Sequence, residues 1–149
     1  MATKKDIIKK LETSHSALVD LLNNIDTKRE VYRGWTIKEV LAHLAGWDEA
    51  TTASLSSFIQ GGKPGIVAVS GVDAFNADSI AKRKKLSLED TFHDWEHERE
   101  ILLATLSALP ENQLNDKIIF PRGDEGSVAD MLLLVANHEA HHTKEIGNA

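Results

Sequence analysis

Apolar residues recur every three or four positions along almost the whole chain, and no useful run alternates apolar with polar residues. A spacing of three and four residues places side chains on one face of an α-helix, whereas alternation would indicate a half-buried β-strand. Only three prolines interrupt the pattern. The sequence therefore predicts an all-α protein.

Capping residues and breakers divide this pattern into four long helices, predicted over residues 4–24, 36–60, 87–110 and about 127–146. Thr36 and Glu39 fit a capping box at the start of the second helix, and the Gly-Gly-Lys-Pro-Gly sequence of residues 61–65 ends it. Between the second and third helices the pattern predicts an extended stretch over residues 66–72 and a short helix over residues 73–84. Four such helices without a linker predict one domain over residues 1–149, a four-helix bundle.

Composition narrows the class of protein. Hydrophobic residues make up 42% of the chain, which is enough for a core, and the absence of cysteine excludes disulfides and thiolate ligands. The longest apolar run covers residues 131–136, far short of the ~18 residues that a membrane span needs. Residues 1–6 lead into no apolar signal core, so we expect a cytoplasmic protein.

The charge balance bears on the partners. Lys and Arg total 17 and Asp and Glu total 23, so the net charge is −6. Nucleic-acid binding draws its affinity from neutralising phosphates with basic side chains. We therefore expect no nucleic-acid partner and no membrane partner.

The fourth predicted helix carries polar residues on its apolar face. This face is defined by Val128, Met131, Leu132, Val135 and Ile146. His138 and His142 lie within or beside it, and Glu139 lies near its centre. Two histidines four residues apart on a helix have neighbouring side chains and can bind one metal ion. Burying these three polar groups costs free energy unless each finds a partner, which a cation provides.

The second predicted helix supplies a complementary histidine. His43 lies at the margin of its apolar face beside Trp47, and Asp48 lies within that face. His43 together with His138 and His142 would give three nitrogen ligands from two helices, which leaves coordination positions for water or substrate. The alternative is a set of polar core residues that bond to one another without a metal.

The other histidines serve as comparisons. His93 and His97 repeat the four-residue spacing, but they lie opposite the apolar face of their helix, so we expect them to be solvated. His15 faces inward in the first helix. It is either a hydrogen-bonded core residue or a group that lines the site in addition to His43 or in place of it.

Residues 138–142 also match the H-E-x-x-H pattern of zinc metalloproteases. The only downstream candidate for the third ligand is Glu145, which is too near on the same helix to fold back onto the site. No predicted strand offers an edge to align a peptide. Peptidase activity is therefore not expected.

Several segments resemble the DinB/YfiT-like superfamily. Residues 35–44, with Trp35 and Thr36 preceding His43, resemble its second-helix signature, and His138 with His142 resembles the histidine pair of its last helix. Residues 73–77, 86–90 and 109–111 are similar to central segments of the ClbS/DfsB branch. The resemblance covers nearly the whole chain.

This resemblance implies a four-helix bundle, often dimeric, with a long crossover between the second and third helices. It also implies a divalent metal ion, zinc or nickel, on His43, His138 and His142. Members include thiol S-transferases that use low-molecular-weight thiols, a thiol-dependent isomerase and metal-dependent hydrolases. The ClbS/DfsB branch is associated with resistance through hydrolysis of a reactive electrophile, and it does not uniformly keep the three histidines that this sequence keeps.

The resulting hypothesis is a metal-dependent transferase or hydrolase in which activated water or a small thiol attacks a small electrophilic substrate. Glu139 is the candidate to accept a proton or to orient a ligand histidine, and Asp48 is a second candidate on the same face. The alternative for both acids is to pair with an inward cation such as Arg99. The basic run of residues 82–85 either receives the carboxylates of a thiol or is a solvated face.

Two further interpretations of the whole chain stay open. The bundle can bind and sequester a ligand without turnover, as in the ClbS/DfsB type. It can also serve only to form a homodimer through its surfaces.

Overall fold

The computed structural model describes residues 2–149 and has five α-helices: α1 (Lys4–Leu22), α2 (Ile37–Ile59), α3 (Val72–Lys82), α4 (Leu88–Ser107) and α5 (Val128–Asn148). The four long helices form a bundle in which α1 packs most extensively on α5 and α2 on α4. The short helix α3 lies in the long crossover from α2 to α4. The predicted all-α four-helix bundle with this crossover is confirmed. Within residues 2–149, no helix combines the length and apolarity that crossing a membrane requires.

The helices begin where the capping residues predict. Thr36 and Glu39 form the reciprocal capping box at the start of α2. The Ser87 side chain accepts a hydrogen bond from the Asp90 backbone at the start of α4. These bonds satisfy amide groups that have no partner within the helix.

The structure adds two β-hairpins that the sequence pattern did not predict. In the first, β1 (Glu30–Tyr32) pairs with β2 (Trp35–Thr36), and in the second, β3 (Lys117–Ile119) pairs with β4 (Glu125–Ser127). Strands of two or three residues are too short to show alternation, which is why the pattern missed them. Each hairpin leads directly into a long helix, the first into α2 and the second into α5.

The segment expected to be extended lies in the crossover before α3 and forms no strand. Instead, the backbone amides of Val67 and Ala68 both donate to the Pro121 carbonyl oxygen, at 2.8 and 2.9 Å. This contact fastens the crossover to the loop of the second hairpin.

A buried polar layer separates two apolar clusters of the core. One cluster includes Leu11, Leu55, Leu102 and Leu132, and the other includes Leu18, Leu44, Trp95 and Ile146. Each long helix contributes, between members of the two clusters, one buried polar residue to a single hydrogen-bonded network: Ser14, Asp48, Arg99 and Glu139. We call these four residues the polar layer.

Candidate metal centre

Three histidine side chains converge at one side of the bundle. His43 comes from α2, and His138 and His142 lie one turn apart on α5. The Nε2 atoms of His138 and His142 are 2.9 Å apart, and those of His43 and His138 are 3.0 Å apart. The third side of the triangle, between Nε2 of His43 and Nε2 of His142, measures 3.2 Å.

These distances fit ligands of one divalent ion. Nitrogens that each lie about 2.0–2.1 Å from an ion are about 2.9 Å apart at right angles and about 3.3 Å apart at tetrahedral angles. The three separations, from 2.9 to 3.2 Å, fall within that interval. A neutral imidazole has one N–H group, so three mutually facing Nε2 atoms cannot satisfy one another as a cation would.

The histidines also have the protonation state that metal binding needs. Burial, with the neighbouring His142, lowers the pKa of His43 to about 4, and burial with the other imidazoles lowers the pKa of His138 to about 3. Burial lowers the pKa of His142 as well. All three are therefore neutral at physiological pH and present lone pairs.

Two of the histidines make hydrogen bonds through their outer nitrogens. The Nδ1 of His43 lies 2.9 Å from Oδ1 of Asn76 on α3. The Nδ1 of His142 lies 2.7 Å from the phenol oxygen of Tyr32 on β1, and the Tyr32 hydroxyl donates to Glu145. The hydrogen-bond partners of His43 and His142 thus come from the crossover helix and from the first hairpin.

A cavity of about 730 Å³ opens beside the three histidines. Its walls are mainly apolar and aromatic, and they include Trp35, Trp47, Leu44, Phe120, Met131 and Val135. Arg33, from the turn of the first hairpin, also lines it. A cavity of this size and polarity fits a small organic molecule.

The two acidic candidates lie in the polar layer. Arg99 donates from Nε to Asp48 at 2.7 Å and from Nη1 and Nη2 to Glu139 at 2.9 and 3.0 Å. Glu139 also accepts from Ser14 at 2.7 Å and from Trp95 at 3.1 Å, so four donors surround its carboxylate. The structure shows both acids paired with Arg99, which is the alternative that the sequence left open. A catalytic role for either acid stays a prediction.

Asp48 differs from Glu139 because it also lines the cavity. Burial raises the pKa of Asp48, and the nearby Glu139 carboxylate adds to this rise, although Arg99 opposes both effects. One guanidinium thus serves two buried carboxyl groups. The raised pKa makes Asp48 a group at the cavity that can hold an extra proton.

The remaining histidines lie outside the triad. His15 faces inward as predicted, but it stacks on Trp95 with ring centroids 4.0 Å apart and does not replace His43. His93 and His97 are exposed, as predicted. His141, at a variable position of the H-E-x-x-H pattern, is exposed and lies 3.0 Å from Glu145. Both histidines of that pattern, His138 and His142, belong to the triad, whereas its glutamate, Glu139, bonds to Arg99 in the polar layer. In the basic run, Lys82 pairs with Glu49 at 2.9 Å and none of its residues lines the cavity.

Asn76 and Tyr32 are site residues that sequence reasoning missed. Asn76 lies in an irregular crossover with a weak helical pattern, and Tyr32 lies in a strand of three residues. Neither position has a spacing that ties it to a histidine far away in the chain.

The comparisons with known proteins agree with this architecture. The sequence model of the DinB superfamily matches residues 10–146. The solved structure of the colibactin self-resistance protein ClbS in complex with a dsDNA is similar with a TM-score of 0.82 and 13% identity, covering 99% of this chain and 95% of that one. No curated protein matches the chain significantly by sequence.

Two other solved structures share the fold. The mycothiol-dependent maleylpyruvate isomerase has a TM-score of 0.74 at 18% identity; the match covers 99% of this chain and 64% of the isomerase. TT2238, described as a four-helix bundle protein, has a TM-score of 0.70 at 24% identity and is covered over its full length. Identities this low establish the fold alone.

The ClbS structure corrects one expectation. The net charge of −6 led us to exclude a nucleic-acid partner, yet a protein with this fold is seen in complex with dsDNA. The exclusion was wrong because net charge averages over the whole surface, whereas phosphate contacts need only a local group of basic side chains.

Proposed function

Because this chain belongs to the DinB superfamily, we propose that it is a metal-dependent thiol S-transferase or hydrolase acting on small electrophiles. His43, His138 and His142 would hold the divalent ion, zinc or nickel, through their Nε2 atoms. The observation that carries this proposal is the triangle of Nε2 atoms with sides of 2.9–3.2 Å. Such an ion, when bound by three protein ligands, keeps a position open and lowers the pKa of a water or thiol there towards neutrality.

Side chains of this protein would accept and donate the proton that the reaction transfers. Asp48 lines the cavity and has a raised pKa, and among residues 2–149 its carboxylate accepts hydrogen bonds only from Arg99. We assign to Asp48 the exchange of a proton with the nucleophile or the leaving group. Glu139 would act indirectly, because its carboxylate, surrounded by four donors, fixes Arg99 against Asp48.

The cavity also indicates the substrate class. Three of its charged side chains have polar partners: Asp48 pairs with Arg99, Arg122 pairs with Asp124, and Glu145 accepts from Tyr32. The Arg33 side chain has no ion pair or hydrogen bond within residues 2–149. The walls are apolar, so the cavity supports an apolar electrophile that carries an acidic group, with the acid at Arg33.

Metal analysis of the purified protein tests the proposal. We expect about one equivalent of zinc or nickel in the wild type and none in His142→Ala, because removing one of three ligands opens the site. The control is the double variant His93→Ala, His97→Ala, which removes two histidines with the same four-residue spacing from a solvated face and should retain the ion. A wild type without the ion, or a control that loses it, contradicts the proposal.

Turnover then tests the reaction. The probe is 1-chloro-2,4-dinitrobenzene with and without cysteine as the thiol, in which the sulfur–carbon bond forms as chloride leaves. We expect product formation that depends on the three histidines. An ester serves as the probe for hydrolysis. Metal binding without turnover of either probe, with or without cysteine, would contradict catalysis.

That outcome favours the second candidate function, a bundle that binds and sequesters a small molecule. The observation in its favour is the size of the largely apolar cavity, about 730 Å³. Such a protein would protect by holding its ligand and would show one-to-one binding with no product.

A further inference from the structure

Asn76 accepts two hydrogen bonds at one oxygen. Its Oδ1 lies 2.7 Å from Nε1 of Trp47 and 2.9 Å from Nδ1 of His43. The indole nitrogen of tryptophan can only donate. The Asn76 atom that faces Trp47 must therefore be the amide oxygen, and the flipped orientation, with the NH₂ group there, would set two donors against each other.

This arrangement fixes the position of a proton on His43. Since Oδ1 of Asn76 can only accept, Nδ1 of His43 must carry the hydrogen. A neutral imidazole has a single N–H group, so Nε2 is left with a lone pair. That lone pair is directed at the Nε2 atoms of His138 and His142, 3.0 and 3.2 Å away.

We propose that Asn76 is a positioning residue that holds His43 in the tautomer and ring orientation needed to bind a metal ion. This inference rests on the proposed function. The device is built from α2 and α3 alone, because Trp47 and His43 lie one turn apart on α2 and Asn76 reaches them from the crossover helix.

The packing of α3 against α2 supports this role. A Cβ atom at Gly46 would lie 2.2 Å from Oγ and 2.6 Å from Cβ of Ser79, so only glycine allows this approach. Next to Gly46 on α2, the ring of Trp47 packs on that of Phe75 on α3, with centroids 4.3 Å apart. The two contacts hold α3 at the distance at which the Asn76 side chain meets both of its donors.

The test is the zinc affinity of Asn76 variants, measured by competition with a chromophoric chelator. We expect Asn76→Ala to weaken zinc binding by about 10–100-fold, the usual cost of losing such an outer hydrogen bond. Asn76→Asp keeps an acceptor for both donors and should restore the affinity, whereas Asn76→Leu restores only volume and should not. Rescue by Leu and not by Asp would overturn the inference.

The matched control is Asn137→Ala. Asn137 lines the same cavity but is exposed, and its side chain makes no hydrogen bond within residues 2–149. Its variant should bind zinc as the wild type does. Circular dichroism checks that every variant is folded.

Two further measurements keep the inference testable on its own. His43→Ala should abolish zinc binding, and if it does not, the proposed function fails. If His43→Ala loses zinc binding but Asn76→Ala keeps the full zinc affinity, only the role of Asn76 is refuted. Nitrogen-15 NMR of the metal-free wild type needs no variant. A His43 ring protonated at Nδ1 supports the inference, and one protonated at Nε2 overturns it.

Discussion

The phenol oxygen of Tyr32 lies 2.7 Å from Nδ1 of His142, and the hydroxyl proton of Tyr32 is donated to Glu145. Since that proton is engaged, the Tyr32 oxygen accepts from His142, and Nε2 of His142 keeps its lone pair. Burial and the bond to Glu145 raise the pKa of Tyr32, so its hydroxyl stays protonated. A short hairpin near the beginning of the chain thereby orients a ligand on the last helix.

We predict that Tyr32→Phe weakens zinc binding by about tenfold or more, because it removes the acceptor for Nδ1 of His142 while keeping the ring. Isothermal titration calorimetry measures the change. Glu145→Gln, which still offers an oxygen to the Tyr32 hydroxyl, should lose less. Equal affinity in Tyr32→Phe and the wild type would contradict this prediction.

A second prediction concerns the polar layer. Arg99→Met should lower the free energy of unfolding by about 3–5 kcal/mol, because it leaves the buried carboxyl groups of Asp48 and Glu139 without their cation. Urea unfolding followed by circular dichroism measures it. The control is Lys117→Met, which removes an exposed ion pair with Glu125 and should cost less than about 1 kcal/mol. Comparable losses of unfolding free energy in the two variants would show that the pairing of Arg99 with Asp48 and Glu139 does not stabilise the fold.

A third prediction concerns acid stability without metal. The pKa values of His43 and His138 fall from 6.5 when unfolded to about 4 and about 3 when folded, mainly through burial. Below about pH 6.5 the unfolded chain therefore binds more protons, and unfolding becomes easier as the pH falls. This part of the stability is fully present above that pH and is lost progressively down to about pH 3–4.

The measurement is the urea midpoint in EDTA at about pH 7.5 and about pH 5. The double variant His43→Asn, His138→Asn lacks both titrating groups, so its midpoint should fall less than that of the wild type. A decline of equal size in both proteins would show that other groups control the acid response.

A fourth prediction concerns the approach of α3 to α2. Gly46→Ala should weaken zinc binding, because the added Cβ meets Ser79 at 2.2 Å and must displace α3 together with Asn76. Combining it with Ser79→Gly makes room for the methyl group and should recover most of the affinity. Chelator competition reports both values, and a Gly46→Ala variant with wild-type affinity would refute the argument.

A fifth prediction addresses the substrate class. Binding to the metal-free protein is followed by tryptophan fluorescence, since Trp35 and Trp47 line the cavity. We expect 4-phenylbutyrate to bind about tenfold more tightly than 4-phenylbutanol, and this preference should disappear in Arg33→Ala, which lacks the cation.

The control for this experiment is Lys28→Ala, which removes an exposed positive charge that does not line the cavity. It should keep the preference for the carboxylate. A preference that survives in Arg33→Ala would place the acid elsewhere.

The sequence was sufficient for the long helices and for separating inward-facing from solvated histidines on α2, α4 and α5, because helical spacing assigns each side chain to a face. It separated His43, His138 and His142 from His93 and His97, and the structure brings the first three together. The same reasoning placed Asp48 and Glu139 inside the bundle and identified Arg99 as a possible partner for them.

Contacts that depend on how elements pack were beyond the sequence pattern. The bond from His43 to Asn76 spans 33 residues and that from Tyr32 to His142 spans 110 residues, and neither follows a helical period. Which of two inward acids would touch the cavity was equally open, since it depends on where the crossover and the hairpins cover the bundle.

The polar layer has a consequence for the alignment of the four long helices along the bundle axis. Each long helix contributes one member to it, so sliding any helix by one turn, about 5.4 Å, would carry a charge or a hydroxyl into hydrocarbon. Asp48 lies five positions after His43, and Glu139 lies between His138 and His142. The position of α2 relative to α5 along the bundle axis is therefore fixed directly beside the imidazoles. This holds whether or not a metal ion is present to draw the three imidazoles together.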